Sequence, residues 1–276
     1  MIGAARLFNN EQLVVGAHFG SLSFCLGKSM KKTFALIGTA AAALMFSGTA
    51  HADVGSGFVG LSYSNGNPID LESVGIDGRV AFGSNIQLDA GYNSIHSGDL
   101  NRWDIGGHFF SRSDQWLWGG FVGYENFDAS GGSADEWTVA GQTQYYVDKT
   151  ILSGNLSYSR TNALGPDINT IQLTGDARFF ATDNFTVHLG TGYGRIDVSG
   201  SNGNFWTYGG GAEWKPDQLP ISIYGDIGVV DPDGGGSNST TWTVGVRYNF
   251  GGGSIYDRER HGASLSSPRG FLDLLF

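Results

Sequence analysis

Asp77, Arg79, Asp89, Asp104 and His108 lie on one phase of an alternating polar and apolar pattern. Gln142, Gln144, Asp176, Arg178 and His188 continue it, and Glu213, Lys215, Asp226 and Arg247 complete the set. Acids and bases that share a face without forming a local motif have two uses. Turned into an open, wet interior, they line a path along which opposed charges orient passing ions and small solutes. Turned into a sealed interior, they pair and stiffen it. Six acids against four bases permit either, and the open path is the preferred reading. Hydrolysis ranks behind both. His96 lies near Asp99, and His108 shares a face with Asp104, the types of a general base and its orienting carboxylate. The available hydroxyls, Ser94 and Ser97, lie in a loop rather than on a matching strand phase. Asp231-Pro232-Asp233-Gly234 looks acidic and flexible, but it lacks the full ligand spacing of a calcium loop and reads as a turn. No catalytic residue, metal or cofactor is therefore expected.

Those side chains need elements that put alternate residues on opposite faces. Trp137, Val139, Gly141, Thr143 and Tyr145 alternate with Thr138, Ala140, Gln142 and Gln144; the same holds for 241–250. A period of two is that of a β-strand with one apolar and one polar face. Twelve such runs follow: 56–63, 73–83, 86–94, 101–110, 116–125, 137–147, 151–159, 169–180, 185–195, 204–215, 221–230 and 240–250. Their connections alternate between longer polar stretches, such as 126–136 and 196–203, and tight ones, such as Ser84-Asn85 and 148–150. Long loops at one end and short turns at the other suit a barrel whose termini both lie at the short-turn end.

The aromatic residues repeat along these strands. Trp116/Tyr124, Trp137/Tyr145, Phe185/Tyr193, Trp206/Trp214 and Trp242/Phe250 are each eight residues apart, on one face of one strand. Eight steps at ~3.3 Å, tilted by ~40°, climb about 20 Å, close to the height between the two aromatic girdles of a membrane barrel. A soluble sandwich has no reason to set rings at two heights. Gly190, Gly192, Gly194, Gly209, Gly211, Gly228 and Gly245 point inward by the same parity, a wall without side chains that would leave the interior open.

Composition agrees. Charged residues make up 15% of the chain and 45 of its 276 residues are Gly. A soluble domain carries about 25% charge and ~7% Gly. Met30-Lys31-Lys32, an apolar run and Ala50-His51-Ala52 form a secretory signal with cleavage expected after Ala52. Residues 1–29 then read as an upstream extension, 30–52 as the signal peptide and 53–250 as the barrel. The leader removes Arg6, Lys28, Lys31, Lys32 and Glu11, so 16 basic and 26 acidic residues become 12 and 25, net −13, which argues against nucleic acid as a partner. Cys25, the only cysteine, goes with it.

On these features the chain resembles the bacterial outer-membrane β-barrel proteins, in particular the small porin-like ones. The last strand, TTWTVGVRYNF, is similar to that family's C-terminal assembly signal, carried here by Trp242, Tyr248 and Phe250. It departs from the pattern in being followed by residues 251–276, whose Gly251–Gly253 hinge and Asp257–Arg260 charge run suggest a periplasmic tail. The resemblance implies an all-β, transmembrane, antiparallel up-and-down barrel of about twelve strands with periplasmic termini. It implies outer-membrane lipid, lipopolysaccharide and the barrel-assembly machinery as partners, with small hydrophilic solutes diffusing through. The alternative is a structural or surface-interaction barrel without a conducting pore.

Overall fold

The computed structural model describes residues 55–67, 71–95, 100–129, 131–163, 165, 167–268 and 270. The leader and its cleavage site lie outside them, as do His96, Ser97 and Asp99. Twelve antiparallel strands close into one barrel. They are β1 (Gly57–Asn67), β2 (Leu71–Phe82), β3 (Ile86–Ile95), β4 (Leu100–Arg112), β5 (Trp116–Ala129), β6 (Gly132–Val147), β7 (Thr150–Asn162), β8 (Ile168–Thr182), β9 (Phe185–Val198), β10 (Ser201–Trp214), β11 (Ile221–Pro232) and β12 (Ser239–Phe250). Each pairs with its neighbours in sequence, and β1 closes on β12 with Gly57 opposite Phe250 and Asn67 opposite Thr240. Closure leaves no unpaired strand edge.

The strands outrun the sequence expectation. β6 starts at Gly132 rather than 137, and β10 at Ser201 rather than 204. Two of the stretches read as long loops are therefore mostly ladder. The reason is turn chemistry. Ser199 (φ 51°) and Gly200 (φ 84°) both take positive φ, the geometry of a two-residue hairpin turn whose twist matches its strands, so pairing continues from Thr191–Tyr208 up to Val198–Ser201.

Alternation divides the wall as expected. Outward positions carry exposed apolar side chains, Leu173 and Leu189 being the most exposed, and outward rings gather in two bands. Near the long-loop end Trp103 packs on Tyr124 at 5.2 Å and Tyr124 on Trp137 at 4.7 Å; Tyr193 meets Trp206 at 4.9 Å. Near the short turns Trp116 packs on Tyr145 at 4.3 Å.

The expected tail beyond β12 does not hang free of the barrel over its described residues 251–268. Gly251, Gly252 and Gly253 have φ of 86°, 77° and 82°, left-handed geometry that a Cβ would strain, and they turn the chain back into the short-turn mouth. A short helix, α1 (Ile255–His261), follows, capped reciprocally by Ser254 and Asp257. Its Ile255, with Leu265 beyond it, joins inward Phe110, Leu117, Tyr146, Ile151 and Phe180 in a buried apolar cluster. Burying each of those two side chains contributes about 1.5–3 kcal/mol. Period-two reasoning could not detect this return, because the segment is not a strand.

Candidate functional site in the barrel interior

Register puts the sequence-selected residues inward, one after another around the wall. Arg79 pairs with Asp89, Asp77 with Gly91, Gln87 with His108, Arg178 with His188, and Gly211 with both His188 and Asp226. Asp104, Gln142, Gln144, Asp176, Glu213 and Arg247 share that phase. Lys215 follows β10 by one residue and is buried, its amide donating to the Asn184 carbonyl at 2.9 Å and its ammonium to that of Leu219 at 3.4 Å. The residues separate into three groups.

The first lies on β2–β6. His108 is fully buried, with Asp89 Oδ2 3.2 Å from Nε2 and Gln142 Oε1 2.7 Å from Nδ1. Its partner is thus Asp89 across the ladder, not Asp104 four residues along its own strand. The hydroxyl here, Ser267 Oγ, donates to Asp89 at 2.8 Å and does not contact the imidazole. A nucleophile held by the carboxylate rather than by the base is not the arrangement of a hydrolytic triad. The rest of this group grips the tail. Gln87 donates to the Leu265 carbonyl (2.7 Å), Gln142 to that of Ser266 (2.9 Å) and Gln144 to that of Ser264 (3.2 Å). Arg112 donates to Gly262 O (3.0 Å) and Ser264 Oγ (2.9 Å), and Arg79 to Ser266 Oγ (3.3 Å).

The second group forms the floor at the short-turn end. Glu213 receives both terminal nitrogens of Arg258, at 2.9 and 2.8 Å, Arg247 at 2.6 Å and the Ser222 hydroxyl at 2.6 Å. Arg258 also meets Glu259 at 2.8 Å, and Glu259 pairs with Arg178. The cations lie over Phe58, 4.5 Å away for Arg247 and 5.1 Å for Arg258. The bidentate fork and the ring faces hold charge where water is scarce.

The third group is on β8–β11. His188 stands between Asp176 (3.2 Å) and Asp226 (2.7 Å), with Gly190, Gly209 and Gly211 beside it. Two carboxylates to one imidazole leave this trio negative whatever the ring's charge. The three side chains are 30%, 26% and 35% exposed in the order Asp176, His188, Asp226. The neighbouring glycines are not all empty volume. A Cβ at Gly194 would come within 2.2 Å of the Phe205 ring, one at Gly245 within 2.5 Å of Tyr224, and one at Gly211 within 2.1 Å of the Asp226 carboxylate. Much of the space those glycines vacate is taken by flat cross-strand side chains.

The sequence reading missed Arg102, Arg112, Glu125 and Glu136 on inward strand positions, and Arg258 and Glu259 on α1. The phase of Asp104 and His108 would have included Arg102, which pairs with Glu125 across β4 and β5. Nothing periodic marks Arg258.

No family model and no curated protein matches the chain. Solved structures do. One is titled "KdgM porin in complex with disordered oligogalacturonate": 16% identity over 69% of this chain and 99% of that one, TM-score 0.50. Another is the NanC porin, at 10% identity over 70% and 100%, TM-score 0.52. At such identities the likeness is one of fold, and the fold is that of outer-membrane porins.

Proposed function

We propose that the protein is a narrow outer-membrane porin through which small hydrophilic solutes and ions diffuse. The observation that carries this reading is the partial exposure of Asp176, His188 and Asp226 inside a closed wall. These polar groups are open to solvent within the wall, which supports a wet passage along β8–β11. The outer face suits hydrocarbon, since exposed leucines and ring bands at two heights have no other solvent. In this reading lipid and lipopolysaccharide surround the wall. The barrel-assembly machinery reads β12, where Trp242, Tyr248 and Phe250 share the outward phase.

Selectivity follows from the charges left unneutralised. Arg79 lies beside Asp89, and Arg178, Arg247 and Arg258 share Glu213 and Glu259, with Asp77 across Gly60 from Arg247. The solvent-reached trio is net negative. The pore therefore prefers cations and uncharged solutes, unlike a lumen that holds an acidic sugar chain, as in the KdgM complex.

A second reading, a barrel without a conducting pore, draws on the tail inside the lumen. Planar-bilayer recording from the mature chain separates the two. Discrete current steps, with a reversal potential on the cation side across a salt gradient, are expected. An intact barrel that gives no steps would establish the structural reading instead.

A further inference from the structure

The returning tail has two parts held by different forces. α1 is anchored by Ile255 in the apolar cluster and by the Arg258–Glu213 fork. Residues 262–268 form no helix and join no strand. This stretch climbs the inner face of β6, from Ser264 beside Gln144 to Gly270, where a Cβ would overlap the Glu136 carboxylate. Eight residues of strand correspond to roughly 26 Å along β6, or about 20 Å of height at a tilt of ~40°.

What holds this stretch is mainly polar. Leu265 joins the apolar cluster and Ala263 is buried; the other attachments are polar, with Arg79, Gln87, Arg112, Gln142 and Gln144 donating to its carbonyls and serine hydroxyls, and with the Leu265 amide donating to Gln87, Ser264 to Gln144 and Ser267 to Asp89. A hydrogen bond exchanged for another of the same kind is worth little either way. An extended molecule bearing hydroxyl oxygens at similar spacing could replace these bonds one for one. The Arg258 fork gives α1 no such substitute.

We propose that residues 262–268 are a displaceable arm covering a ladder of donors (Arg79, Gln87, Arg112, Gln142 and Gln144) that binds uncharged, hydroxyl-bearing solutes. The pore then has a narrow state with the arm docked and a wide state with it withdrawn about Gly262, α1 staying in place. The inference rests on the porin reading, and it gives that pore a solute site and a gate.

The test uses the mature chain, residues 53–276, in planar bilayers beside a chain ended at Gly262, which keeps α1. The shortened chain is expected to conduct about 1.5-fold more, since the arm takes its bonds from four of the twelve strands. Equal conductance in the two overturns the arm and leaves the porin reading standing. A folded barrel silent at both lengths removes the porin reading and the arm with it. Should the shortened chain fail to insert, full-length Ser264→Cys answers the same question. Ser264 is buried and the mature chain has no other thiol. Slow modification by a water-soluble thiol reagent, faster with maltotriose present, is expected of an arm that leaves and competes with solute. No modification before the barrel is unfolded overturns displacement, and a rate indifferent to maltotriose overturns the solute site. Ser266→Cys, at an exposed position of the arm, controls for reagent access.

Discussion

On the β3–β6 side of the barrel, the inward residues between floor and rim are long amides, an imidazole and carboxylates, and Gln87, Asp89, His108, Gln142 and Gln144 are all buried. On the β9–β12 side the same heights are held by Gly190, Gly209, Gly211 and Gly228, and the few large groups there remain in contact with solvent. Both sides obey the same alternation, close the same ladder and have the same exposed outer face. They differ in what completes them. The first side is finished by a segment of the chain itself, the second by flat cross-strand side chains and water. One wall can thus give a packed interior on one side and a glycine-lined, solvent-reached one on the other, and strand number alone does not decide whether a barrel is filled.

The comparison can be broken first at Glu213, the buried carboxylate by which α1 is tied to β10. Glu213→Leu takes from Arg247 its ion-pair partner and leaves Arg258 with Glu259 alone, the two cations facing each other over Phe58. Such a loss costs about 3–5 kcal/mol. A urea titration of the refolded barrel should show the drop; a shift below about 1 kcal/mol would mean that the floor is wetter than described.

Asp89→Asn and Asp226→Asn sharpen the contrast. Asp89 receives bonds from Gln87, Ser267 and the imidazole of His108, so its neutralisation should cost about 1–3 kcal/mol and leave ion preference nearly unchanged. Asp226 is part exposed; its neutralisation should move the reversal potential toward zero with little change in the unfolding midpoint. Opposite results at the two positions would reverse the assignment of filled and open sides.

The smallest effect is expected at the cap of α1. Ser254→Ala removes a hydroxyl that accepts from the Asp257 amide, about 1 kcal/mol of helix stability. The backbone amide and hydroxyl of Ser254 hold the Asp257 carboxyl below its ordinary 3.8. A group depressed on folding stabilises fully above its unfolded value and loses that contribution as pH falls below it. Acid should therefore loosen α1 below about pH 4, and Asp257→Asn should flatten that dependence; a melting curve equally steep in the variant would place the titration elsewhere.

Strand count and inward phase were legible because both rest on a period of two, a property of neighbouring residues. The selected strand residues share one phase of the register, and Lys215 lies buried one residue past the end of β10. Partnership was less legible. His108 and Asp89 meet only because β3 and β4 pair Gln87 with His108, and no spacing within one strand encodes that offset. The tail was hidden for a stronger reason. Leu265 finds Gln87 178 residues away and Ser264 finds Gln144 120 away, contacts without a local signature. Its glycines did mark the turn, but a turn does not state its direction.

The closing pair of strands fixes an order of events. Gly57 meets Phe250 only when nearly the whole chain between them is in place, and such distant contacts form after the local hairpins. Residues 262–268 take their hydrogen bonds from four separate strands, β2, β3, β4 and β6, so they have nothing to dock on until that part of the wall exists. The C-terminal segment is consequently a late piece of the fold. A chain caught before its entry would be a complete barrel with a wet interior.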